Sequence, residues 1–223
     1  MQKTILSYLV LLALLLTGLQ AVQAQSERNH MSIGVKGGST GIGGEFAVSL
    51  NKKFNTRISA SFLDYTYSGE ADLEATVGYD AVSSMTSIGL VVDYFPFKKF
   101  LKLSAGLHYF DFQVDGFVAP TEPYTVEGKE FSVEKLGSIS STMDYESKIA
   151  PYLGLGFGNS VRQGFPVRFT MDIGALYTDS PRINSSGEGI IAPTAEQGKD
   201  FEDGLKDFKF YPVLNLGFSI RIR

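Results

Sequence analysis

The chain of 223 residues contains no cysteine and no tryptophan, and its aromatic residues besides histidine are all phenylalanine and tyrosine. Without cysteine, an exported chain gains no stability from disulfides. Thiol chemistry and cysteine-bound metal are excluded for the same reason. Any function must therefore be carried by other side chains, and we expect no cofactor and no metal site.

The chain also lacks a basic cluster and, after its N-terminal segment, any long apolar run. Acidic residues outnumber basic ones by 24 to 20, which gives a formal net charge of −4. A mildly acidic chain of this kind is a poor nucleic-acid binder. No apolar run beyond the N-terminal segment approaches the ~18 residues of a transmembrane helix, so none is predicted there.

The N-terminal segment, residues 1–24, has the features of a signal peptide. Lys3 precedes an apolar run, and Val22 and Ala24 occupy the positions that a signal peptidase reads. The run is shorter than the ~20 residues of a spanning helix, which disfavours an uncleaved anchor. We therefore expect cleavage before Gln25 and a single exported domain over residues 25–223.

Short segments of alternating polar and apolar residues fill the rest of the chain. They are roughly nine to fourteen residues long, close to the length that a tilted strand needs to cross a bilayer. Glycine-rich and polar turns separate them, which is typical of an all-β protein. The eight segments are residues 31–39, 42–50, 55–67, 84–95, 101–114, 149–159, 166–177 and 211–223.

The two faces of these strands differ in an unusual way. In "PVRFTMDIGALY" (166–177), bulky apolar residues alternate with Arg168, Thr170 and Asp172. Across all eight segments the polar face is mostly Gly, Ser and Thr with spaced charges of both signs, which suits a narrow barrel lumen better than a solvent face. We predict an eight-stranded antiparallel up-and-down transmembrane β-barrel with its apolar face toward lipid. The predicted structural network of the lumen is Lys36, Glu45, Arg57, Asp93, Lys102, His108, Arg168, Asp172 and Arg221.

Assumed hairpin registers support this assignment. With two-residue turns at 40–41 and 97–98, opposite charges face each other across two hairpins, as cross-strand pairing favours. The polar alternation slips at Leu63 and Phe110, which predicts bulges there. The two predicted pairs are Lys36 with Glu45, and Asp93 with Lys102.

The connections between strands alternate in length and charge, the layout of an outer-membrane barrel. The short ones carry lysine and arginine without acid, and the long ones have an acidic excess. A soluble sandwich has no reason to sort its loops in this way. The short connections are residues 51–54, 96–100 and 160–165; the long loops are 68–83, 115–148 and 178–210.

Two of the long loops contain further elements. Residues 194–208 include apolar residues at the spacing of a short amphipathic helix, which we expect to cap the barrel. Residues 124–133 predict a small β-hairpin above the barrel, and its pairing into the wall would raise the strand count to ten.

Several stretches resemble the small eight-stranded outer-membrane β-barrel proteins of Gram-negative bacteria, specifically an uncharacterised family of that type. The resemblance implies location in the outer membrane, contact with its lipid and lipopolysaccharide, and insertion by the barrel-assembly machinery. It implies no activity. One departure is the end "IRIR", where such barrels often carry an aromatic residue. The stretches are "GVKGGSTGIGGEFAVSLN", "VVDYFPFKKFLKLSAGLHY", "PYLGLGFGN", "MDIGALYTDSP" and "FYPVLNLGFSIRIR".

Catalysis has one candidate, since His108 lies among Ser104, Asp93 and Asp111 and invites comparison with a Ser/His/Asp triad. No nucleophile motif surrounds any serine, so we interpret His108 as a hydrogen-bonding residue of the lumen. The predicted function is a monomeric barrel with a filled polar lumen and a structural or surface-interaction role, and not an enzyme. The alternatives are a narrow pore, a lipid-modifying barrel enzyme and a soluble lipocalin-like carrier.

Overall fold

The structure, a computed structural model, describes residues 30–72, 76–97, 100–126, 129–161, 166–193 and 198–222. The predicted signal peptide lies outside the described residues. No helix among the described residues is long and apolar enough to cross a membrane.

The described part of the chain forms twelve strands and two short helices, α1 (Val133–Leu136) and α2 (Gly198–Leu205). Period-two alternation gives each long strand one apolar and one polar face over most of its length. The strands are β1 (Met31–Gly38), β2 (Gly41–Ser49), β3 (Phe54–Asp72), β4 (Thr76–Tyr94), β5 (Leu101–Pro120), β6 (Tyr124–Val126), β7 (Lys129–Phe131), β8 (Ile139–Tyr145), β9 (Ile149–Phe157), β10 (Val167–Tyr177), β11 (Pro181–Gly187) and β12 (Phe210–Arg221).

Eight of these strands close into a ring, which confirms the predicted eight-stranded antiparallel barrel. Neighbouring strands pair in the order β1, β2, β3, β4, β5, β9, β10 and β12, and β12 pairs back with β1. Closure leaves the ring without a free edge. Residues 50–53, 95–100 and 158–166 connect strands at one end, which we call the short-turn end; the opposite end is the long-loop end.

A curved sheet continues the wall beyond the ring at the long-loop end. It comprises residues 63–72 of β3, 76–85 of β4 and 111–120 of β5, together with β8 and β11, and we call it the projecting sheet. Residues 68–72 and 76–83 are therefore strand and not loop, because β3 and β4 pair without interruption up to Asp72 and Thr76.

The predicted hairpin of the second long loop is present as β6 and β7, but these strands pair only with each other in the described structure. The main sheet does contain ten strands, and the two beyond the ring are β8 and β11. β8 lies in line with β9, since both pair with β5, and residues 146–148 separate them.

Both assumed hairpin registers were wrong by two residues. Gly38 pairs with Gly41, so Lys36 faces Gly43. Gly41 has a φ of +90°, which glycine adopts without steric cost, and it begins β2 instead of ending the turn. In the second hairpin Asp93 faces Ser104. The predicted bulge at Leu63 is wrong, because β3 and β4 pair continuously there. At Phe110 the pairing of β5 with β4 is also continuous, but on its other side the register shifts by one residue between the pairs Tyr109–Ile149 and Gln113–Asp144, so the irregularity lies in the strand opposite Phe110.

The outer surface of the ring is a continuous apolar band. Leu153 on β9 is 72% exposed, whereas the adjacent Tyr152, which points inward, is 5% exposed. The same contrast recurs around the barrel, so the bulky side chains face outward and the small and charged ones face the lumen. Exposed members of the band include Ile33, Val35, Phe46, Ile58, Leu90, Leu107, Leu155, Phe169, Ile173, Leu216 and Phe218.

Candidate functional site

Arg57 is the centre of a charged layer in the lumen. Its Nη1 and Nη2 donate to the two carboxylate oxygens of Asp172 at 2.9 and 2.8 Å. Its Nε lies 3.1 Å from Asp93 Oδ2, and its Nη1 lies 3.0 Å from Glu45 Oε2. The planar guanidinium thus holds three carboxylates from three other strands.

Two lysines complete the charged layer. Lys102 Nζ lies 2.9 Å from Asp172 Oδ1 and 3.5 Å from Asp93 Oδ2. Lys36 Nζ donates to Ser59 Oγ at 2.9 Å. Three cations therefore accompany the three carboxylates, and the net charge of the charged layer is zero. Such balance is needed where charges are buried, because an unpartnered ion is costly.

The charged layer brings together six of the nine predicted residues. Lys36, Arg57, Asp93, Lys102 and Asp172 are buried, and Glu45 is nearly so. The predicted pair of Asp93 with Lys102 is present as a diagonal contact. Lys36 and Glu45 instead have Ser59 and Arg57 as their respective closest polar partners.

The remaining three predicted residues lie outside this charged layer. His108 is buried on β5, with Nδ1 3.0 Å from Ser87 Oγ and its ring 5.4 Å from that of Tyr152. Arg168 is half-buried on the inward face of β10. Arg221 is exposed at the end of β12, where the lumen opens at the short-turn end.

The residues compared with a catalytic triad do not assemble into one. Ser104 Oγ donates to Asp93 at 2.6 Å, and the hydroxyl beside His108 Nδ1 is that of Ser87. Asp111 lies on the opposite face of β5 and forms an ion pair with Lys148. In this arrangement His108 is buried and lies within hydrogen-bonding distance of Ser87.

A second, apolar layer fills the lumen toward the long-loop end. Phe110 is fully buried, with its ring 4.8 Å from that of Tyr211 and 6.2 Å from that of Phe112. The ring of Phe112 lies 5.9 Å from that of Tyr145. The apolar layer consists of Met85, Val91, Phe110, Tyr145, Ala150, Tyr152, Leu176 and Val213, with Leu63, Phe112 and Tyr211 packed against it.

Sequence reasoning missed the apolar layer, although its signal was present. The slips in polar alternation at Leu63 and Phe110 are the places where the lumen changes from charged to apolar. The pairing of β4 with β3 and with β5 keeps its register there, while the chemistry of the inward face changes. The lumen is thus polar over part of its length and apolar over the rest.

Space between the lumen side chains is small. The cavity beside Lys36, Glu45, Asp172 and Asn215 has a volume of about 10 Å³, which is at most the room for one water molecule. The charged and apolar layers lie in succession along the lumen.

Aromatic pairs mark the two ends of the outward apolar band, where interfacial girdles occur in membrane barrels. Phe54 contacts Tyr94 at the short-turn end with ring centroids 5.0 Å apart. Tyr177 contacts Phe210 at the long-loop end at 5.4 Å. Two other aromatic residues near strand ends are internal, since Phe95 is 2% exposed and Tyr211 packs against the apolar layer.

Helix α2 covers part of the projecting sheet. It occupies residues 198–205 of the predicted helix 194–208, whose first four residues lie outside the described residues. Glu202 Oε2 accepts a hydrogen bond of 3.1 Å from the backbone N–H of Ile183. The helix therefore packs against β11, the last strand of the projecting sheet, rather than over the centre of the barrel.

The fold is that of solved outer-membrane proteins. CarO of Acinetobacter baumannii superimposes with a TM-score of 0.61 at 20% identity, over 85% of this chain and 96% of CarO. CarO2 of the same organism gives 0.62 at 19% identity, over 87% of this chain and all of that one. A major outer membrane protein of Thermus thermophilus gives 0.48 at 13% identity, over 88% and 100% of the two chains.

The sequence matches no protein-family profile and no curated protein. What this chain shares with the solved structures is therefore its fold, a β-barrel with eight strands in its ring.

Proposed function

We propose that this protein is an integral outer-membrane barrel of a Gram-negative bacterium that acts as a closed, monomeric scaffold and displays the projecting sheet at the cell surface. Its role is structural or one of surface interaction, without catalysis. The apolar outward band and the aromatic pairs at its two ends support membrane insertion. The fold shared with solved outer-membrane proteins supports the choice of membrane.

The observation that supports the proposal is the pair of side-chain layers in the lumen. The charged layer around Arg57 and the apolar layer around Phe110 lie one above the other, so a solute would have to displace both. An eight-stranded ring has little room beyond its own side chains. Bulk transport is therefore disfavoured, and the accessible surface available for function is the long-loop end.

The distribution of charge supports one orientation. The short connections carry lysine and arginine, and the long loops have an acidic excess. Short turns face the periplasm in barrels of this class, and the longer loops face outward. Lipid and lipopolysaccharide would surround the apolar band, and the barrel-assembly machinery would insert the chain from the periplasm.

Fractionation and gel mobility test the membrane assignment. The protein should require detergent for extraction, and its migration should shift on boiling as the folded barrel opens. A protein that is soluble in the periplasm and shows no shift would instead support the lipocalin-like carrier.

Planar-bilayer recording tests the closed lumen. We expect no unitary conductance from the purified barrel, and we expect none after Phe110→Ala, because the charged layer still obstructs the lumen. Regular conductance steps from the unmodified protein would show that it is a pore. Loss of a lipid-modifying activity in His108→Ala would support the enzyme alternative.

A further inference from the structure

The projecting sheet has two edge strands, β11 and β3, and only the edge of β11 is covered by another element. The β11 edge is covered by α2, whose Glu202 accepts from the Ile183 N–H. The β3 edge is uncovered, because β2 pairs with β3 only as far as Phe62 and no described residue pairs with residues 63–72 on that side. Long uncovered edges are templates for strand pairing, and proteins normally protect them.

The backbone geometry of β3 shows which groups are unpaired. The carbonyl of Lys53 accepts from Phe95 N–H, so odd-numbered residues of β3 bond to β4. The carbonyl of Phe54 accepts from Leu50 N–H, so even-numbered residues face the β2 side. Pairing with β4 is continuous to Asp72, and this alternation is therefore preserved. Asp64, Thr66, Ser68 and Glu70 each direct an N–H and a C=O to the uncovered edge.

The side chains on the two faces of this edge differ in chemical character. The even-numbered residues point outward, where Asp64 and Glu70 are exposed and the neighbouring strand adds Asp80. The odd-numbered residues share the face that points into the lumen lower in β3, and among them Tyr65 and Tyr67 are 61% and 52% exposed. One face of the edge is thus acidic and the other is aromatic.

We propose that the β3 edge, residues 63–72, is a strand-addition site for an extended peptide segment with alternating basic and apolar or aromatic side chains. The segment runs antiparallel to β3, as β2 does lower in the wall. Its basic side chains lie beside Asp64 and Glu70, and its apolar ones lie beside Tyr65 and Tyr67. Backbone bonds supply affinity, and the alternating side chains supply specificity.

A second copy of the chain fits this edge less well than a basic peptide. Two barrels in one membrane point the same way, so their β3 strands run in the same direction and would form a parallel ladder, which is slightly less stable per residue than the antiparallel one. Such a pair would also place the acidic residues Asp64 and Glu70 of both copies at one interface. The structure therefore favours a different chain as the partner. This inference rests on the proposed display of the projecting sheet at the cell surface.

The test uses the full protein in nanodiscs of zwitterionic phosphatidylcholine and a labelled peptide, Lys-Tyr-Lys-Val-Lys-Tyr-Lys-Val. Binding is measured by fluorescence anisotropy. In the proposed register the lysine residues direct their N–H groups to β3, and the others direct theirs away. N-methylation of the lysine residues should weaken binding at least ~tenfold, and N-methylation of the other four should leave it unchanged. Equal effects of both sets would overturn the proposal.

Variants of the protein give a second readout. Thr66→Pro removes an N–H that faces the uncovered edge. The fold should tolerate this proline, because the Thr66 N–H makes no hydrogen bond to β4. Peptide binding should be abolished. The double variant D64K/E70K should bind the peptide with glutamate in place of lysine. Glu188→Lys, an exposed acid away from this edge, is the matched control and should keep the original preference.

Persistent binding to Thr66→Pro, or no binding of the unmodified protein to any of the peptides, would refute strand addition. Neither result would contradict the proposed closed membrane barrel, which the conductance and gel-mobility experiments test separately. Self-association of the protein in nanodiscs that depends on Thr66 would assign the edge to a second copy and would also overturn the proposal.

Discussion

Arg57 is the residue on which the charged layer depends. Its guanidinium bonds Asp172, Asp93 and Glu45, and its side chain is 7% exposed. Arg57→Ala leaves these carboxylates with too few cations and should destabilise the barrel by about 3–5 kcal/mol. Arg57→Lys keeps the charge but loses the forked geometry, so its stability should fall between those of the parent and Arg57→Ala.

The measurement is the urea midpoint of unfolding in detergent, followed by tyrosine fluorescence and gel mobility. Lys53→Ala, at an exposed lysine of the short-turn end, is the control and should leave the midpoint unchanged. An Arg57→Ala protein as stable as the parent would show that the charged layer contributes no net stability.

Two adjacent glycines of β2 give a matched pair of substitutions. A Cβ on Gly43 points into the lumen and would overlap the carbonyl oxygen of Ala60, whereas one on Gly44 points outward with its nearest neighbour 3.8 Å away. Gly43→Ala should cost about 1–3 kcal/mol, since backbone must move. Gly44→Ala should stay within about 0.5 kcal/mol of the parent. Equal midpoints in urea would contradict the close approach of β2 and β3.

Among the elements, α2 contacts β11 through a charged acceptor, the carboxylate of Glu202. Glu202→Ala removes the carboxylate that accepts from Ile183 N–H and should speed hydrogen exchange of that amide about tenfold. Asp203→Ala removes only an exposed ion pair with Lys206 and should leave the Ile183 amide unchanged. Exchange measured by mass spectrometry on the peptide that contains β11 distinguishes these results.

The same elements show the limit of reasoning from loop composition. Residues 68–72 and 76–83 look like loop because their acidic and small residues break the apolar alternation. In the structure they are strands, because β3 and β4 continue to pair beyond the part of the wall that has an apolar outward face. Alternation therefore identified the part of each strand that meets lipid and missed the part beyond it.

For the whole molecule, the absence of cysteine permits a direct test of orientation. Ser186→Cys, exposed on β11, should react on intact cells with a maleimide that does not cross membranes. Lys53→Cys, at the short-turn end, should react only after the outer membrane is permeabilised. The reverse pattern would show that the barrel is inserted with the short-turn end outward.

The sequence by itself determined the ring of eight strands, the direction of each face and the charged character of the lumen. Side chains alternate between the two faces of a strand with a period of two. Adjacent residues such as Asp172 and Ile173 can therefore be assigned to opposite faces of the barrel wall without knowing which strands lie beside them. Small and charged residues on one face and bulky apolar ones on the other then required a narrow lumen and a surrounding apolar medium.

Only the tertiary structure decided which lumen side chains meet. The register of the first hairpin depended on the conformation of Gly41. A shift of two residues leaves each side chain on the same face but gives it a different partner on the neighbouring strand. Arg57 and Asp172 come from strands far apart in the chain, and their contact arises from closure of the ring. The apolar layer around Phe110 and the uncovered edge of β3 likewise depend on which strands end early, and that is set by pairing across the whole barrel.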